Sequence, residues 1–359
     1  MSSYEHLSSA IHQSPPVDLT IPYQLSWLSG KHILITGGAS GFGRSFAETW
    51  AKAGASVVIA DINKAGGLQA VAEIRRSSSN PNVHFVQCDV RDWDSQVDMF
   101  KEAVSFSPHG GIDVVVANAG VSGGNGFNEP TGLDADRPPK PDFKTMDVNL
   151  YGVLYTTHLA LFWLPRNPGS HAPRIDDVPG GGKRDRMLLL LGSVASLSPI
   201  VGLPLYGAAK HAVLGLFRSL RSSTFVNGIR VNMLCPYFID TPLLGMAGKL
   251  ILAGGATGRV EDVVDAGSRL VADTRILGRA LVVGPKVRMK EEGEKWVLLP
   301  RDNKEGIETA IWEAYADDWE QVDDFTKKMV GILSAIAIAR GWAGWFKDTV
   351  KAIMWRIGL

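Results

Sequence analysis

Three polar side chains in the middle of the chain have the types and spacing that a proton transfer requires. Ser193 ends an apolar run, Tyr206 follows thirteen residues later, and Lys210 comes one helical turn after that. Residues four apart share a face of a helix, so the phenol and the ammonium would point the same way. A nearby cation favours the phenolate and lowers a tyrosine pKa from its usual value of about 10. The pattern predicts that Tyr206 exchanges a proton with a substrate oxygen that Ser193 orients, although Tyr and Lys at this spacing also suit an ordinary amphipathic helix.

A glycine-rich stretch earlier in the chain predicts a binding site for phosphates. It lies between an apolar run, read as a strand, and a stretch read as a helix. Glycine lets the backbone turn sharply and approach a pyrophosphate, and the start of the helix offers free N–H groups and a positive dipole end. A simple Gly-rich turn is the alternative, but the strand–loop–helix context favours the cofactor site. The residues expected to bind the cofactor here are Thr36, Gly37, Ser40, Gly41, Phe42 and Gly43.

Two acidic residues at strand ends suggest which dinucleotide binds. Asp61 ends the second apolar run, where a carboxylate accepts hydrogen bonds from the ribose hydroxyls and repels a 2′-phosphate. This favours NAD over NADP, although Arg44 lies nearby and Asp61 would also suit a helix cap. Asp89 ends the third run and would bind the adenine with Val90 beside it, or act as a turn residue.

The elements that must position these side chains follow from a repeated alternation of apolar runs and helix-like stretches. Runs that are apolar on both faces are typical of strands covered by helices on both sides, so the chain predicts an α/β fold with a doubly wound, parallel, seven-stranded sheet. Ligands of such sheets bind at the carboxyl ends of the strands. The runs read as strands are 32–35, 56–60, 83–86, 112–117, 187–191, 229–234 and 279–283.

The order and spacing of these motifs resemble the short-chain dehydrogenase/reductase family over about residues 30–285. The resemblance rests on the glycine loop, Asn118-Ala119-Gly120, Asn149, Ser193 and the Tyr206–Lys210 pair. It implies a Rossmann-type fold, a cofactor cleft shaped by Asn118, Ala119 and Gly120, a water held by Asn149 in a proton relay, and a nicotinamide ribose bound by Lys210.

The family pattern after the sixth strand is matched here only in part. The resemblance implies cofactor contacts from Pro236, Ile239 and Thr241, but Tyr237 stands where the family usually has glycine. A bulky residue there puts the local backbone geometry in question. Its ring would either border the pocket or simply pack in the interior.

The remainder of the chain is divided by composition. We expect an arm outside the core at 1–26, a catalytic domain at 27–300 with Gly- and Pro-rich insertions at 121–141 and 165–185, and a helical extension at 301–359. Residues 327–359 combine tryptophans and cations with apolar stretches. They would pack on the domain or a second subunit, lie on a membrane surface, or cover the substrate.

Bulk composition excludes several classes of protein. The chain has 359 residues with 37 basic and 37 acidic side chains, which argues against a nucleic-acid partner. Cys88 and Cys235 fit reduced, buried thiols, and we expect no metal site. With no secretory signal or spanning segment, the protein is expected in the cytoplasm, with 327–359 as a candidate peripheral membrane contact.

Together these features predict an NAD-dependent oxidoreductase that interconverts a secondary alcohol and a ketone. The apolar, Gly-rich segment 243–256 predicts a mobile flap over a lipophilic substrate. The family resemblance extends to 15-hydroxyprostaglandin dehydrogenases and to alcohol dehydrogenases of secondary metabolism, and it implies a homodimer or homotetramer built through the helices at 142–164 and 204–226. The alternatives are an epimerase, dehydratase or cyclase on the same scaffold, or a non-catalytic nucleotide-binding protein.

Overall fold

A computed structural model of the protein contains the predicted alternation of strands and helices. The chain divides into two compact units, of which Gln13–Ala316 form one and Met1–His12 with Asp317–Leu359 form the other. The sheet belongs to the first unit. The structure describes residues 14–123, 136–137, 140–180, 183–241, 257–293, 295–300 and 303–316, and single residues at 318, 328, 332 and 335.

The sheet has a parallel central part whose strand order is β3-β2-β1-β4-β5-β6-β7. The strand order reverses between β1 and β4, which is where ligands of doubly wound sheets bind. The strands are β1 His32–Thr36, β2 Ser56–Asp61, β3 Val83–Gln87, β4 Val114–Ala117, β5 Met187–Leu191, β6 Arg230–Pro236, β7 Ala280–Glu292, β8 Lys295–Leu299 and β9 Ile307–Ala314.

Helices cover both faces of this sheet, because successive strand residues point to opposite sides. In β1, Ile33 and Ile35 belong to one buried cluster and Leu34 to the other. The helices are α1 Gly41–Lys52, α2 Lys64–Ser78, α3 Trp93–Phe106, α4 Val153–Trp163, α5 Pro204–Leu220 and α6 Val260–Ala272. A helical turn at Lys144–Met146 and a π-helical turn at Asp147–Gly152 lead into α4.

The described sheet has nine strands, not the seven expected. β8 and β9 pair antiparallel with β7. The segment Ile307–Ala314 lies in the extension that was expected to be helical, and that expectation was wrong for these residues. Its β-branched and aromatic residues, Ile307, Thr309, Ile311 and Trp312, suit a strand, and its pairing covers what would otherwise be an open edge of β7.

The N-terminal arm is attached to the core from residue 14 onwards, contrary to the expectation that it lies outside. Ser14 is buried and its hydroxyl donates to the Leu277 carbonyl oxygen at 3.2 Å. The Tyr23 hydroxyl donates to Asp265 on α6 at 2.9 Å. Residues 14–26 therefore belong to the same unit as the sheet.

Several sequence predictions fall on residues beyond the described ones. The flap at 243–256 lies outside them, as does most of the insertion at 121–141. Of 327–359, Lys328, Ile332 and Ala335 are described, and they are helical and exposed. Within the described residues no helix is long and apolar enough to cross a membrane. Both cysteines are free and buried, as predicted.

Candidate active site

A large cavity gathers most of the predicted site residues at the carboxyl ends of the strands. Its volume is about 990 Å³, at the upper end of the usual range for ligand pockets. The predicted residues that line it are Gly37, Ser40, Gly41, Phe42, Asp61, Asp89, Val90, Asn118, Ala119, Gly120, Ser193, Tyr206, Lys210, Pro236, Ile239 and Thr241.

The glycine loop at one end of the cavity is tightly packed. Gly37 has a φ of +66°, and a Cβ atom there would lie 2.8 Å from Ala119 Cα. The Asn118 amide donates to the carbonyl oxygens of Thr36 and Gly37 at 2.9 and 3.1 Å. The loop after β4 thus fixes the loop after β1, and glycine at position 37 is required by both conformation and space.

The start of α1 is open to an anion. Ser40 is the N-cap residue, and among the described contacts its side chain makes no hydrogen bond to the first turn of the helix. The N–H groups of that turn and the positive end of the helix dipole border the cavity beside Gly41 and Phe42. This arrangement is the one that binds a pyrophosphate.

Asp61 lies at the cavity wall beyond the glycine loop. Its carboxylate accepts hydrogen bonds from the backbone N–H groups of Ala39 and Asn63, each at 3.0 Å. The cap of α2 is Asn63, whose side chain accepts from the Gly66 N–H. Asp61 is therefore not the helix cap. It holds the glycine loop and lines the cavity, and its carboxylate keeps lone pairs for further hydrogen bonds.

Asp89 has a partner that the sequence did not suggest. Arg91 lines the same cavity, and its guanidinium pairs with both Asp89 carboxylate oxygens, the shortest distance being 2.6 Å. The hydrogen bonds from Arg91 hold the pKa of Asp89 below its ordinary value. An adenine would therefore meet an ion pair at this position instead of a lone carboxylate.

Ser193, Tyr206 and Lys210 come together at the other end of the cavity. Ser193 caps a short 3-10 helix at Val194–Ser196, and its Oγ accepts from the Ala195 N–H at 3.1 Å. The Lys210 Nζ lies 5.8 Å from the centre of the Tyr206 ring and donates to the Leu191 carbonyl oxygen at 2.8 Å. One turn of α5 therefore presents both side chains to the ends of β5 and β6.

The electrostatics of this group differ from the sequence expectation. Burial raises the pKa of Tyr206 above its ordinary value, and a hydrogen bond with Ser193 acts in the opposite direction. Burial lowers the pKa of Lys210 to about 8. The pKa of Tyr206 in the protein alone is raised because burial is the largest cause. The lowering expected from Lys210 together with a bound nicotinamide stays a prediction.

Three predicted residues, Thr36, Gly43 and Asn149, do not line the cavity. Thr36 is buried, and its hydroxyl accepts from the N–H groups of Asn118 and Ala119 at 3.1 Å. A Cβ atom on Gly43 would lie 2.4 Å from the Gly37 carbonyl oxygen. Both residues thus hold the wall of the site in place from behind.

Asn149 is fully buried in the π-helical turn before α4. Its side-chain amide exchanges two hydrogen bonds of 2.8 Å with the backbone of Val121. These bonds fix the segment after β4, where Gly120 and Val121 border the cavity. The water-holding role that the resemblance implies stays a prediction.

Comparison with known proteins identifies the family. The family model for short chain dehydrogenases matches residues 31–172 and 182–249. The chain belongs to the short-chain dehydrogenase family. The predicted α/β fold and the predicted class, an oxidoreductase acting on CH–OH groups, are thereby confirmed. The predicted nicotinamide cofactor is confirmed to the extent that the family binds NAD or NADP.

Curated relatives of this short-chain dehydrogenase include enzymes of both cofactor types. A 5′-hydroxyaverantin dehydrogenase from Dothistroma septosporum is 36% identical over 73% of this chain and 87% of its own length. The NAD⁺-dependent 15-hydroxyprostaglandin dehydrogenase of Bos taurus is 32% identical over 60% of this chain and 71% of its own. An NADP-dependent dehydrogenase named M3, from a Phoma species, is 34% identical over 71% of this chain and 74% of its own. The predicted resemblance to secondary-metabolite and hydroxyprostaglandin dehydrogenases is confirmed.

The dehydrogenase cavity also has an apolar wall that sequence reasoning largely missed. Two short segments form this wall. One belongs to the connection between Ser193 and Tyr206, and the other follows β6. The residues concerned are Val194, Ile200, Val201, Leu203, Tyr237 and Phe238. Tyr237 does not adopt the left-handed conformation, so its substitution for the usual glycine strains nothing. Its ring position resolves the earlier alternatives in favour of the cavity.

Proposed function

We propose that this protein is an NAD-dependent dehydrogenase that interconverts a lipophilic secondary alcohol and its ketone. The observation that carries the proposal is the grouping of Ser193, Tyr206 and Lys210 at one end of a cavity whose other end holds an open helix terminus and Asp61. The first group suits proton exchange with a substrate oxygen, and the second suits a dinucleotide.

The residues present fit the cofactor. A Cβ atom on Gly41 would meet no protein atom within 4 Å, so the glycine loop is open there. The first turn of α1 would hold the pyrophosphate, and Lys210 would hold the nicotinamide ribose. When bound, the nicotinamide accepts or supplies the hydride. No cluster of His, Cys, Asp and Glu suited to a metal ion occurs among the described residues.

The side chains of the site supply the proton. Burial raises the Tyr206 pKa above its ordinary value, which favours the protonated phenol that can donate to a ketone oxygen. In the reverse direction the phenolate would take the proton from the alcohol. The Ser193 hydroxyl donates to the same substrate oxygen and holds it in line with Tyr206.

Two features support NAD over NADP. The carboxylate of Asp61 at the adenosine end would repel a 2′-phosphate. Arg44, the cation that could attract one, forms an ion pair with Glu73 on α2 instead. Arg91 also lines this end of the cavity, but its charge is balanced by Asp89.

The test is a screen of ketones and secondary alcohols followed by NADH absorbance. We expect turnover with lipophilic substrates, with kcat/KM at least tenfold higher for NAD(H) than for NADP(H), equivalent to about 1.4 kcal/mol. Tyr206→Phe should lower kcat by about 100- to 10,000-fold, since it removes only the exchangeable proton.

Tyr151→Phe is the matched control, because Tyr151 is exposed and does not line the cavity. It should retain wild-type activity. Equal activity of the Tyr206→Phe and Tyr151→Phe variants would reject the proposed role, and product formation without a net change in NADH would point to an epimerase, dehydratase or cyclase.

We also propose that the enzyme is a cytoplasmic homodimer or homotetramer assembled through α4 and α5. Tyr151 and Phe162, at the start and end of the α4 region, expose about half of their side-chain surface. Such apolar side chains suit burial against a second copy. Light scattering after size-exclusion chromatography gives the mass, and a monomer at micromolar concentration would contradict the proposal.

A further inference from the structure

We propose that Tyr237 and Phe238 form an aromatic corner that selects flat aromatic alcohols and ketones over saturated ones of equal size. The inference rests on the proposed function for the reaction, but it concerns recognition and is testable by binding alone. Both residues follow β6 and line the cavity that holds Tyr206 and Ser193.

The two rings meet nearly at a right angle. Their centres are 4.8 Å apart and the angle between their planes is 84°. A flat aromatic ring placed in such a corner lies parallel to one ring and edge-on to the other. Both arrangements are favoured by the charge distribution of aromatic rings. A saturated ring is thicker and has no such charge distribution, so it gains only its burial from water.

The corner is held by the backbone on both sides. The Tyr237 N–H donates to the Val283 carbonyl oxygen at 2.7 Å, and the Gly258 N–H donates to the Phe238 carbonyl oxygen at 3.0 Å. Ile239 forms an isolated parallel bridge with Gly258. Because these bonds fix the chain that carries the rings, little conformational entropy is lost when a substrate binds.

Tyr237 also has a free surface to offer. Its side chain is 37% exposed, although an aromatic residue next to β6 could have been buried. The rest of the apolar wall is aliphatic, and Val201 at its rim is 98% exposed. The aliphatic residues account for a preference for lipophilic substrates, whereas Tyr237 and Phe238 supply the aromatic rings of this wall.

The experiment compares 2-acetylnaphthalene with 2-acetyldecalin, which share the ketone and the carbon skeleton. For the wild-type enzyme we expect kcat/KM to be about fivefold higher for the aromatic ketone. Tyr237→Phe retains the ring and should keep this ratio. Tyr237→Leu should bring the ratio close to one, because it removes one ring of the aromatic corner and keeps an apolar side chain.

Equilibrium binding of the two ketones to the protein with NADH, measured by calorimetry, separates the inference from the proposed function. Loss of the aromatic preference in Tyr237→Leu supports the aromatic corner even if no ketone is reduced, in which case only the proposed reaction fails. A wild-type ratio near one, or an equal preference in Tyr237→Leu and Tyr237→Phe, overturns the inference whatever the turnover.

Discussion

The two ends of the parallel strands carry similar charged side chains but use them in opposite ways. At the carboxyl ends, Lys210 and Asp61 border an open cavity. At the amino ends, five residues that precede or begin β1, β4, β5 and β6 form a buried network, here named the amino-end cluster. They are Lys31, His32, Asp113, Asp185 and Arg230.

In the amino-end cluster each charge is matched within the protein. Arg230 pairs with both carboxylate oxygens of Asp185, at 2.7 and 3.1 Å, and donates to the Leu270 and Val271 carbonyl oxygens near the end of α6. Lys31 also pairs with Asp185, at 2.9 Å. These contacts connect four elements of the fold, so the role of the amino-end cluster is structural.

Lys210 differs because its burial is only partly compensated. Its described hydrogen bond goes to the Leu191 carbonyl oxygen, and its pKa is lowered by burial. A charge left with spare hydrogen-bonding capacity at a cavity costs stability and serves function. Compensation of a buried charge, not the residue type, therefore distinguishes the active site from the amino-end cluster.

The largest expected effect is a loss of stability when the ion pair in the amino-end cluster is removed. Arg230→Met leaves the Asp185 carboxylate buried with Lys31 alone, and we expect the free energy of unfolding to fall by about 3–5 kcal/mol. Urea denaturation at pH 7 measures it. Arg174→Met is the matched control, because the pair of Arg174 with Asp176 is exposed on both sides and its loss should leave stability unchanged. Equal urea midpoints for the two variants would show that the buried ion pair stabilises the protein no more than the exposed one.

The next largest effect is a loss of activity in Lys210→Met, a variant that should not lose stability as Arg230→Met does. Lys210→Met removes an incompletely compensated buried charge, so the free energy of unfolding should stay the same or rise. The kcat should fall by about 100-fold, since the substitution removes a fixed positive charge at the reacting group. Denaturation and NADH absorbance on the same preparation measure both quantities. A Lys210→Met protein that is as unstable as Arg230→Met would show that Lys210 belongs to a structural network as well.

The cavity could be predicted because its residues follow a known motif spacing. The amino-end cluster could not be predicted, because its residues have no such spacing. The glycine loop, Ser193, Tyr206 and Lys210 follow strand ends in a recognisable order, so their meeting point follows from the topology. Asp185 sits at the end of an insertion that was expected only to interrupt the fold, yet it is fully buried. Its pairing with Arg230 spans 45 residues of chain and has no local pattern.

The strand β9 and the role of Tyr237 were missed for related reasons. The acids and aromatic residues of 305–316 suggest a helix, and the strand is stabilised by its pairing with the distant β7. A tyrosine in place of glycine could border a pocket or be packed inside, and the spacing does not choose between these. Both outcomes depend on contacts between distant parts of the chain.

The smallest effect is a pH dependence of stability, which tests the amino-end cluster without removing any of its ion pairs. His32 is fully buried, with its ring nitrogens 2.8 Å from the Ser56 hydroxyl and the Ala103 carbonyl oxygen. Burial lowers its pKa to about 4, below the unfolded value of about 6.5. Between these values the unfolded chain binds more protons than the folded one, so stability falls as the pH falls through this window.

Asp113, which accepts the His32 backbone N–H, does not offset this effect. Although burial favours its neutral form, hydrogen bonds from His109 and the Asp185 N–H keep its pKa below the ordinary value, so it stays charged. Between pH 7 and pH 5 the wild type should lose about 2 kcal/mol more than His32→Gln, measured by urea denaturation at each pH. His171→Gln, at an exposed histidine, should show the full wild-type loss. An equal loss in all three proteins would mean that His32 takes up a proton as readily when folded as when unfolded, and that the amino-end cluster is open to water.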